Sequence, residues 1–228
     1  MPSDVPGIRV LRSADRFVTR GLGTVSRHCF SFGEHYDSDN VAFGNLVAVN
    51  EESLANGAEF AEHRHAGVDI VTWVAQGRVE HSDSAGRIGL TQPGVVRMIG
   101  SGSGVRHRER NAGEGACRFV QSWLAADASA PPTYEQVDVS GDLARGGVVL
   151  LLERAGSSMY GGVLGPGVIA DMPADDLIHV FVVLGSVSLD GFGVLEQGDS
   201  ARIAFVRQPA VTAGGLGAEL LVWGLAAP

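Results

Sequence analysis

Two short triplets near the middle of this chain alternate potential metal ligands with arginine. They are His63-Arg64-His65 and His107-Arg108-Glu109. Side chains at positions i and i+2 share one face of a β-strand but do not share a face of an α-helix. The alternation therefore predicts two strands, each aiming two ligand-type side chains at one side of a sheet. The intervening and adjacent arginines are predicted to lie on the opposite face, towards solvent: Arg64, Arg106, Arg108 and Arg110.

The remainder of the chain is typical of an all-β protein. Its 228 residues include 32 glycines, most of them in short turn-like clusters, which favours many strands joined by tight turns. No long helical periodicity is visible, and a short helix is predicted only near Thr133–Val137. The predicted strands are Ile8–Arg12, His28–Phe32, Leu46–Asn50, Val68–Val74, Arg78–His81, Arg87–Thr91, Val95–Ile99, Cys117–Leu124, Val148–Arg154, Gly167–Met172, His179–Leu184, Ser186–Leu189, Ala201–Phe205 and Glu219–Trp223.

A weak internal repeat suggests two similar halves. Residues 74–79 resemble residues 183–187, and residues 92–94 resemble residues 196–198. Two copies of one small β-barrel would explain these echoes. Between the halves, residues 125–132 are small and polar and end in a proline pair, which cannot continue a helix or a central strand, so we predict a linker there.

Charge and cysteine content exclude several classes of protein. The formal net charge of −9 disfavours direct binding to nucleic acid. Cys29 and Cys117 are too few and too far apart for a disulfide framework, and we expect two buried thiols. The N-terminus has no apolar leader and no run is long enough to cross a bilayer, so we expect a soluble cytoplasmic protein.

The ligand-type residues of the two triplets suit a transition metal. Imidazole binds iron, copper, nickel and zinc, while carboxylate suits harder ions such as manganese and iron(II). An octahedral ion held by three histidines and one glutamate keeps two positions open for a bidentate substrate, or for a substrate plus dioxygen. The absence of thiolate ligands argues against a closed structural zinc site.

The surrounding motifs resemble those of the pirin family of the cupin superfamily. The resemblance is close over residues 28–124 and is carried by residues 30–37, residues 48–51, the stretch from Gly77 to Gly86 and the stretch from Gly102 to Glu109. It implies two cupin barrels in tandem, with little helix: residues 1–128 with a metal site and residues 129–228 without one. It also implies a divalent metal, with Fe(II) preferred over Ni, Co, Cu, Mn or Zn, bound by His63, His65, His107 and Glu109.

The resemblance leaves three functions open. Some pirin-like proteins cleave flavonols such as quercetin with dioxygen; here Glu109 would also act as the catalytic base, and Val71, Trp73 and Met98 would hold the aromatic substrate. Other pirin-like proteins are non-enzymatic, iron- and redox-responsive regulators that bind a protein partner. The third reading is a degenerate protein with an empty site. The remaining histidines are expected to be structural: His28, His35, His81 and His179.

Overall fold

The structure of the chain, a computed structural model, describes residues 7–206 and 209–225. The predicted all-β fold is confirmed. Neighbouring strands pair antiparallel throughout the described part, and its one α-helix is a single turn, Ser140–Leu143, labelled α1. No helix in these two ranges is long and apolar enough to cross a membrane.

The chain divides into two compact units, of which the N-terminal unit comprises Phe17–His35 and Leu46–Val139. It contains a seven-stranded sheet, ordered β12-β9-β6-β11-β4-β3-β2, and a four-stranded sheet, ordered β5-β10-β7-β8. The strands are β2 (Phe17–Arg20), β3 (Thr24–His28), β4 (Leu46–Leu54), β5 (Glu59–His65), β6 (Val68–Gln76), β7 (Val79–Asp83), β8 (Ile88–Thr91), β9 (Val95–Gly100), β10 (Val105–Asn111), β11 (Cys117–Ala125) and β12 (Thr133–Asp138).

Alternating apolar side chains build the interior of the N-terminal unit. Val74 and Phe119, from the paired strands β6 and β11, pack with Leu54, Val79 and Cys117 in one buried cluster. β-branched and aromatic side chains favour this pleated, half-buried surface, which explains why these segments form strands. Cys29 and Cys117 are both buried thiols that form no disulfide with each other, as predicted.

The C-terminal unit comprises the described part of Met1–Arg16, Tyr36–Asn45 and the described part of Ser140–Pro228. One eight-stranded sheet, ordered β1-β18-β16-β19-β14-β13 with β15 on β19 and β17 on β16, encloses a large aliphatic core. The strands are β1 (Gly7–Leu11), β13 (Val148–Arg154), β14 (Ser157–Leu164), β15 (Ile169–Ala170), β16 (Leu177–Leu189), β17 (Gly193–Glu196), β18 (Ser200–Ala204) and β19 (Val211–Leu225).

The division into units differs from a boundary between residues 128 and 129. Residues 129–139 group with the N-terminal unit, because β12 pairs with β9. Residues 7–16 group with the C-terminal unit, because β1 pairs with β18. In both cases an edge strand pairs with a strand that is distant in the sequence. The composition of the edge strand itself gives no sign of such a pairing.

Two local predictions were wrong. The segment predicted as a short helix near Thr133–Val137 is strand β12, in which Tyr134 lies opposite Ile99 of β9 and packs on its apolar cluster. The predicted strand His28–Phe32 ends at His28, because Phe32 and His35 exchange two backbone hydrogen bonds across a tight turn. Strand β14 was not predicted, because its serines and glycines are uncommon in buried strands and interrupt the apolar pattern.

The internal repeat has a counterpart in the backbone. Gly77 and Gly185 have φ angles of 77° and 73°, and Gly94 and Gly198 have φ angles of 84° and 82°. A Cβ atom added at Gly77 would meet the carbonyl oxygen of Ala116, and one added at Gly185 would meet that of Gly217. Both the left-handed backbone conformation and the lack of space therefore require glycine at Gly77 and at Gly185.

We predict that Gly77→Ala destabilises the protein more than Gly86→Ala. Both glycines have left-handed φ angles, but an added Cβ at Gly77 lies 3.1 Å from the Ala116 oxygen and nothing lies within 4 Å of one at Gly86. We expect a loss of about 1 kcal/mol for Gly86→Ala and about 2–4 kcal/mol for Gly77→Ala, measured by urea unfolding. Equal losses would contradict the assigned steric contact.

Candidate metal centre

Three histidines converge on one face of the four-stranded sheet. β10 lies between β5 and β7, and its residue His107 is directly opposite His63 of β5. The ligand atoms of His63, His65 and His107 all lie within 4.8 Å of one another. β10 alternates buried and exposed residues along its whole length, so the predicted strand periodicity is confirmed.

The opposite face of this sheet carries the arginines, as predicted. Each arginine of β10 lies beside a glutamate of a neighbouring strand, and the Arg64 guanidinium donates to the Ser103 carbonyl, with an N–O distance of 2.7 Å. These are exposed pairs, so each contributes little stability. The pairs are Arg106–Glu62 at 2.7 Å, Arg108–Glu59 at 3.9 Å and Arg110–Glu80 at 3.1 Å.

Hydrogen bonds fix the tautomers of two of the imidazoles. His63 Nδ1 donates to the Ala61 carbonyl over 2.8 Å, which leaves Nε2 with a lone pair. The Asp83 carboxylate accepts from His81 Nε2 over 3.2 Å, so His81 Nδ1 can accept from His107 Nδ1 over 3.3 Å. His107 Nε2 then also presents a lone pair. The Nε2 atoms of His63 and His107 lie 3.1 Å apart. Metal-ligating histidines are commonly oriented in this way by a partner on the other ring nitrogen.

The third imidazole also fits a metal ion. His65 Nε2 is buried and has no hydrogen-bond partner among the residues that the structure describes. Burial lowers the pKa of His65 to about 4 and that of His107 to about 3, so both rings are neutral near pH 7. Neutral imidazole is the form that binds metal, and converging lone pairs repel one another unless a cation lies between them. The donor set therefore suits a first-row divalent ion.

Glu109 lies on the same buried face of β10, but its carboxylate is held by other partners. Arg97 of β9 donates to Oε1, and Gln121 of β11 donates to Oε1 and Oε2 over 2.9 and 2.7 Å. Burial alone would raise the pKa of Glu109, but the Arg97 guanidinium, with His107 and Gln121, outweighs it and holds the pKa below its ordinary value. The carboxylate is outside the group formed by the three imidazoles.

A cavity of about 250 Å³ opens beside the histidines. Aromatic and polar side chains share its wall. The residues predicted to hold a substrate, Val71, Trp73 and Met98, are buried elsewhere and do not line it. The lining residues are Ser26, Phe32, Asn50, Glu52, Phe60, Ala61, His63, His65, Glu109, Gln121 and Trp123.

Glu52 is a buried carboxyl group in this cavity wall. It is 4% exposed, and the Ser26 hydroxyl donates to its Oε2 atom. Burial raises its pKa to about 8, against the lowering effect of Ser26 and with further raising by the charges of Glu109 and Glu51. Glu52 is therefore mostly protonated near pH 7 and can donate a hydrogen bond into the cavity.

The other histidines have different surroundings. Both ring nitrogens of His28 are bonded, to Asn50 and Thr19, and its ring stacks on Phe32, in keeping with a structural role. His81, also expected to be only structural, instead contacts His107 through its ring nitrogen. His81 and Asp83 are two residues apart, as are the ligand-type residues in each triplet. This spacing could have indicated that His81 lies near the histidine cluster. His179 is fully buried on β16.

The antiparallel barrel architecture and the histidine cluster define a metal-binding protein of the cupin class. The chain belongs to the pirin family, whose model, described as Pirin, matches residues 11–124. The predicted membership is thereby confirmed.

Known relatives match this chain over nearly its whole length or over about half of it. A protein of Mycobacterium bovis named "Putative quercetin 2,3-dioxygenase" is 34% identical over 230 residues, covering 95% of this chain and 94% of its own. The "Quercetin 2,3-dioxygenase" of Escherichia coli is 33% identical over 113 residues, 49% of each chain. The crystal structure of the Escherichia coli pirin YhhW in complex with nickel(II) superposes with a TM-score of 0.85 at 24% identity, covering 97% of this chain and 100% of that one, which shows the shared fold.

We predict that metal-free protein binds one divalent ion and that His107→Ala abolishes this binding. His81→Ala should weaken binding by about 10- to 100-fold, because it removes the group that orients His107. Arg108→Gln, on the exposed face of the same strand, is the matched control and should bind normally. Calorimetric titration with Ni(II) or Zn(II) measures all four proteins, and unchanged affinity in the His81 variant would contradict the proposed orienting role.

We predict that Glu52→Gln flattens the pH dependence of stability in the metal-free protein. The pKa of Glu52 is about 8 in the folded protein, so the group keeps its proton up to about that pH, whereas in the unfolded chain it loses the proton near its ordinary pKa of 4.5. Unfolding therefore releases a proton between these values, and stability falls by at most about 1.4 kcal/mol per pH unit as pH rises. The difference between Glu52→Gln and the unaltered protein, measured by urea unfolding, should be small at pH 4 and grow towards pH 8. A constant difference would contradict the raised pKa.

Proposed function

We propose that this pirin-family protein is a metal-dependent dioxygenase that cleaves a flavonol-like substrate of the quercetin type. The observation that carries the proposal is the convergence of three imidazoles beside a cavity whose wall includes aromatic side chains. Relatives named as quercetin 2,3-dioxygenases support the choice of substrate. We assign the metal to His63, His65 and His107, with Glu109 as the carboxylate of the site.

Fe(II) is our first choice of metal, because imidazole and carboxylate groups both suit it. Ni(II) is supported by the nickel complex of the Escherichia coli pirin, and Co, Cu, Mn and Zn also suit imidazole donors. A bound ion supplies Lewis acidity, which acidifies and orients a hydroxyl group of the substrate.

The protein's own residues bind and orient the substrate. Phe32, Phe60 and Trp123 line the cavity and offer apolar contact to a planar ring system. Glu109 would accept the proton of a substrate hydroxyl; its ionised carboxylate, which lines the same cavity, supports this role. The protonated carboxyl of Glu52 can donate a hydrogen bond to a substrate oxygen.

We predict that protein loaded with Fe(II), Ni(II), Co(II), Cu(II) or Mn(II) consumes quercetin under air with at least one of these metals. Quercetin absorbance and dissolved oxygen should fall together, one oxygen molecule for each quercetin, as a dioxygenase requires. His107→Ala should reduce the rate to that of the free ion, whereas Arg108→Gln should retain the rate of the unaltered protein.

Absence of quercetin loss with every metal would contradict the proposed substrate. The alternative is a non-enzymatic regulator, whose binding to a protein partner follows the oxidation state of bound iron. That function predicts partner capture that differs between Fe(II)- and Fe(III)-loaded protein and disappears in His107→Ala.

A further inference from the structure

Two sheets of the N-terminal unit supply the wall of the cavity beside the histidines. Phe60, His63 and Glu109 line it from strands β5 and β10 of the four-stranded sheet. Asn50 and Glu52 line it from strand β4 of the seven-stranded sheet. These two side chains share a face because they are two residues apart on one strand. The cavity therefore contains a pair of polar groups that the metal site does not use.

A chain of hydrogen bonds fixes the orientation of the Asn50 amide. Asn50 is 1% exposed, and its Oδ1 atom lies 2.9 Å from His28 Nδ1. An amide oxygen only accepts, so His28 Nδ1 donates this bond. His28 Nε2 then carries the lone pair and accepts from the Thr19 hydroxyl over 2.9 Å. With Oδ1 turned towards His28, the Nδ2 group of Asn50 is turned away from it and presents its N–H donors.

The carboxyl group of Glu52 is the second donor of this pair. The Ser26 hydroxyl donates to Oε2, which leaves Oε1 to make other contacts. Burial raises the pKa of Glu52 to about 8, so the group carries a proton near pH 7. A protonated carboxyl group has one O–H to donate. Trp123 Nε1, from a third lining residue, is also a buried donor, and no acceptor for it lies within residues 7–206 and 209–225.

Buried donors of this kind select the ligand that enters the cavity. A buried N–H or O–H group without an acceptor is unfavourable, and native proteins keep few of them. A ligand that fills the cavity must therefore offer acceptor oxygens to the donors, since otherwise its binding leaves them unpaired. Asn50 and Glu52 lie on a different sheet from His63, His65 and Glu109, so a ligand oxygen bound by the metal does not meet this need.

We propose that Asn50 and Glu52 determine substrate specificity by donating hydrogen bonds to a substrate oxygen other than those bound by the metal. The substrate class is then a planar hydroxy-carbonyl compound that carries at least one further hydroxyl or carbonyl oxygen. This inference rests on the proposed function and adds to it a requirement on the substrate.

The test compares the binding of two flavonols to Zn(II)-loaded protein under nitrogen. Zn(II) is redox-inert, so binding is measured without turnover. Quercetin carries further hydroxyl groups besides its hydroxy-carbonyl pair, whereas 3-hydroxyflavone has that pair alone. We expect quercetin to bind about 5- to 100-fold more tightly, the factor that two ordinary hydrogen bonds give, as measured by calorimetric titration.

Variants of the donor pair test which residues cause this preference. Asn50→Asp keeps an acceptor for His28 but loses the N–H donors, and Glu52→Met loses the O–H donor. Each should reduce the ratio of the two affinities by about threefold or more. Glu52→Gln keeps a donor of similar shape and should restore most of the preference that Glu52→Met loses. Ser53→Ala, on the other face of β4, is the matched control and should keep the full ratio. Zn(II) titration of each variant checks that the metal site is intact.

Equal binding of the two flavonols to the unaltered protein would overturn the inference. A preference for quercetin that persists in both Asn50→Asp and Glu52→Met would also overturn it. Because oxygen is excluded, these outcomes are separate from the test of the dioxygenase. A protein that consumes quercetin in air without this preference keeps the proposed function and loses the inference, whereas one that shows the preference without turnover does the reverse.

Discussion

The antiparallel register between β5 and β10 is the constraint on which the rest of the site depends. His107 lies opposite His63 and Val105 lies opposite His65, so two strands bring their imidazoles to one point. The side-chain period of a strand is two, and a shift of one residue would exchange the histidines for Arg64 and Arg106. The hydrophobic interior opposes that shift, because it would bury guanidinium groups and expose Val105.

Electrostatic pairing determines which buried groups remain charged. Glu109 stays ionised because the Arg97 guanidinium faces it inside the protein and holds its pKa below the ordinary value. The pKa of Glu52 is raised by burial and by the charges of neighbouring carboxylates, which keep this group mostly protonated near pH 7. Two carboxyl groups in one cavity, Glu52 and Glu109, thus have opposite protonation states, and the neutral imidazole of His65 lines the same cavity. A metal ion would be the largest charge in this small space.

The sequence predicted the parts of this arrangement that follow from local periodicity. The His-x-His and His-x-Glu triplets could be assigned to strands because alternate positions share a face. Arg97 was missed because an arginine among valine, methionine and isoleucine resembles a solvent-facing residue of an edge strand, and only its pairing with Glu109 across sheets explains its burial. The doublet of Glu51 and Glu52 likewise gives no sign of which carboxyl faces the cavity. Strand β12 depends on pairing with β9, which no local pattern near Thr133–Val137 encodes.

The paired charges on the outer face of the four-stranded sheet affect which positions can change during evolution. Arg106, Arg108 and Arg110 each meet a glutamate in water-exposed positions, where one polar residue can replace another at small cost. Their neighbours on the inner face have no such freedom, because each of them is buried. The exposed residues of β10, which are every second one, can therefore be substituted without altering the metal site. Among homologous sequences, variation along this strand should alternate between high and low from one residue to the next.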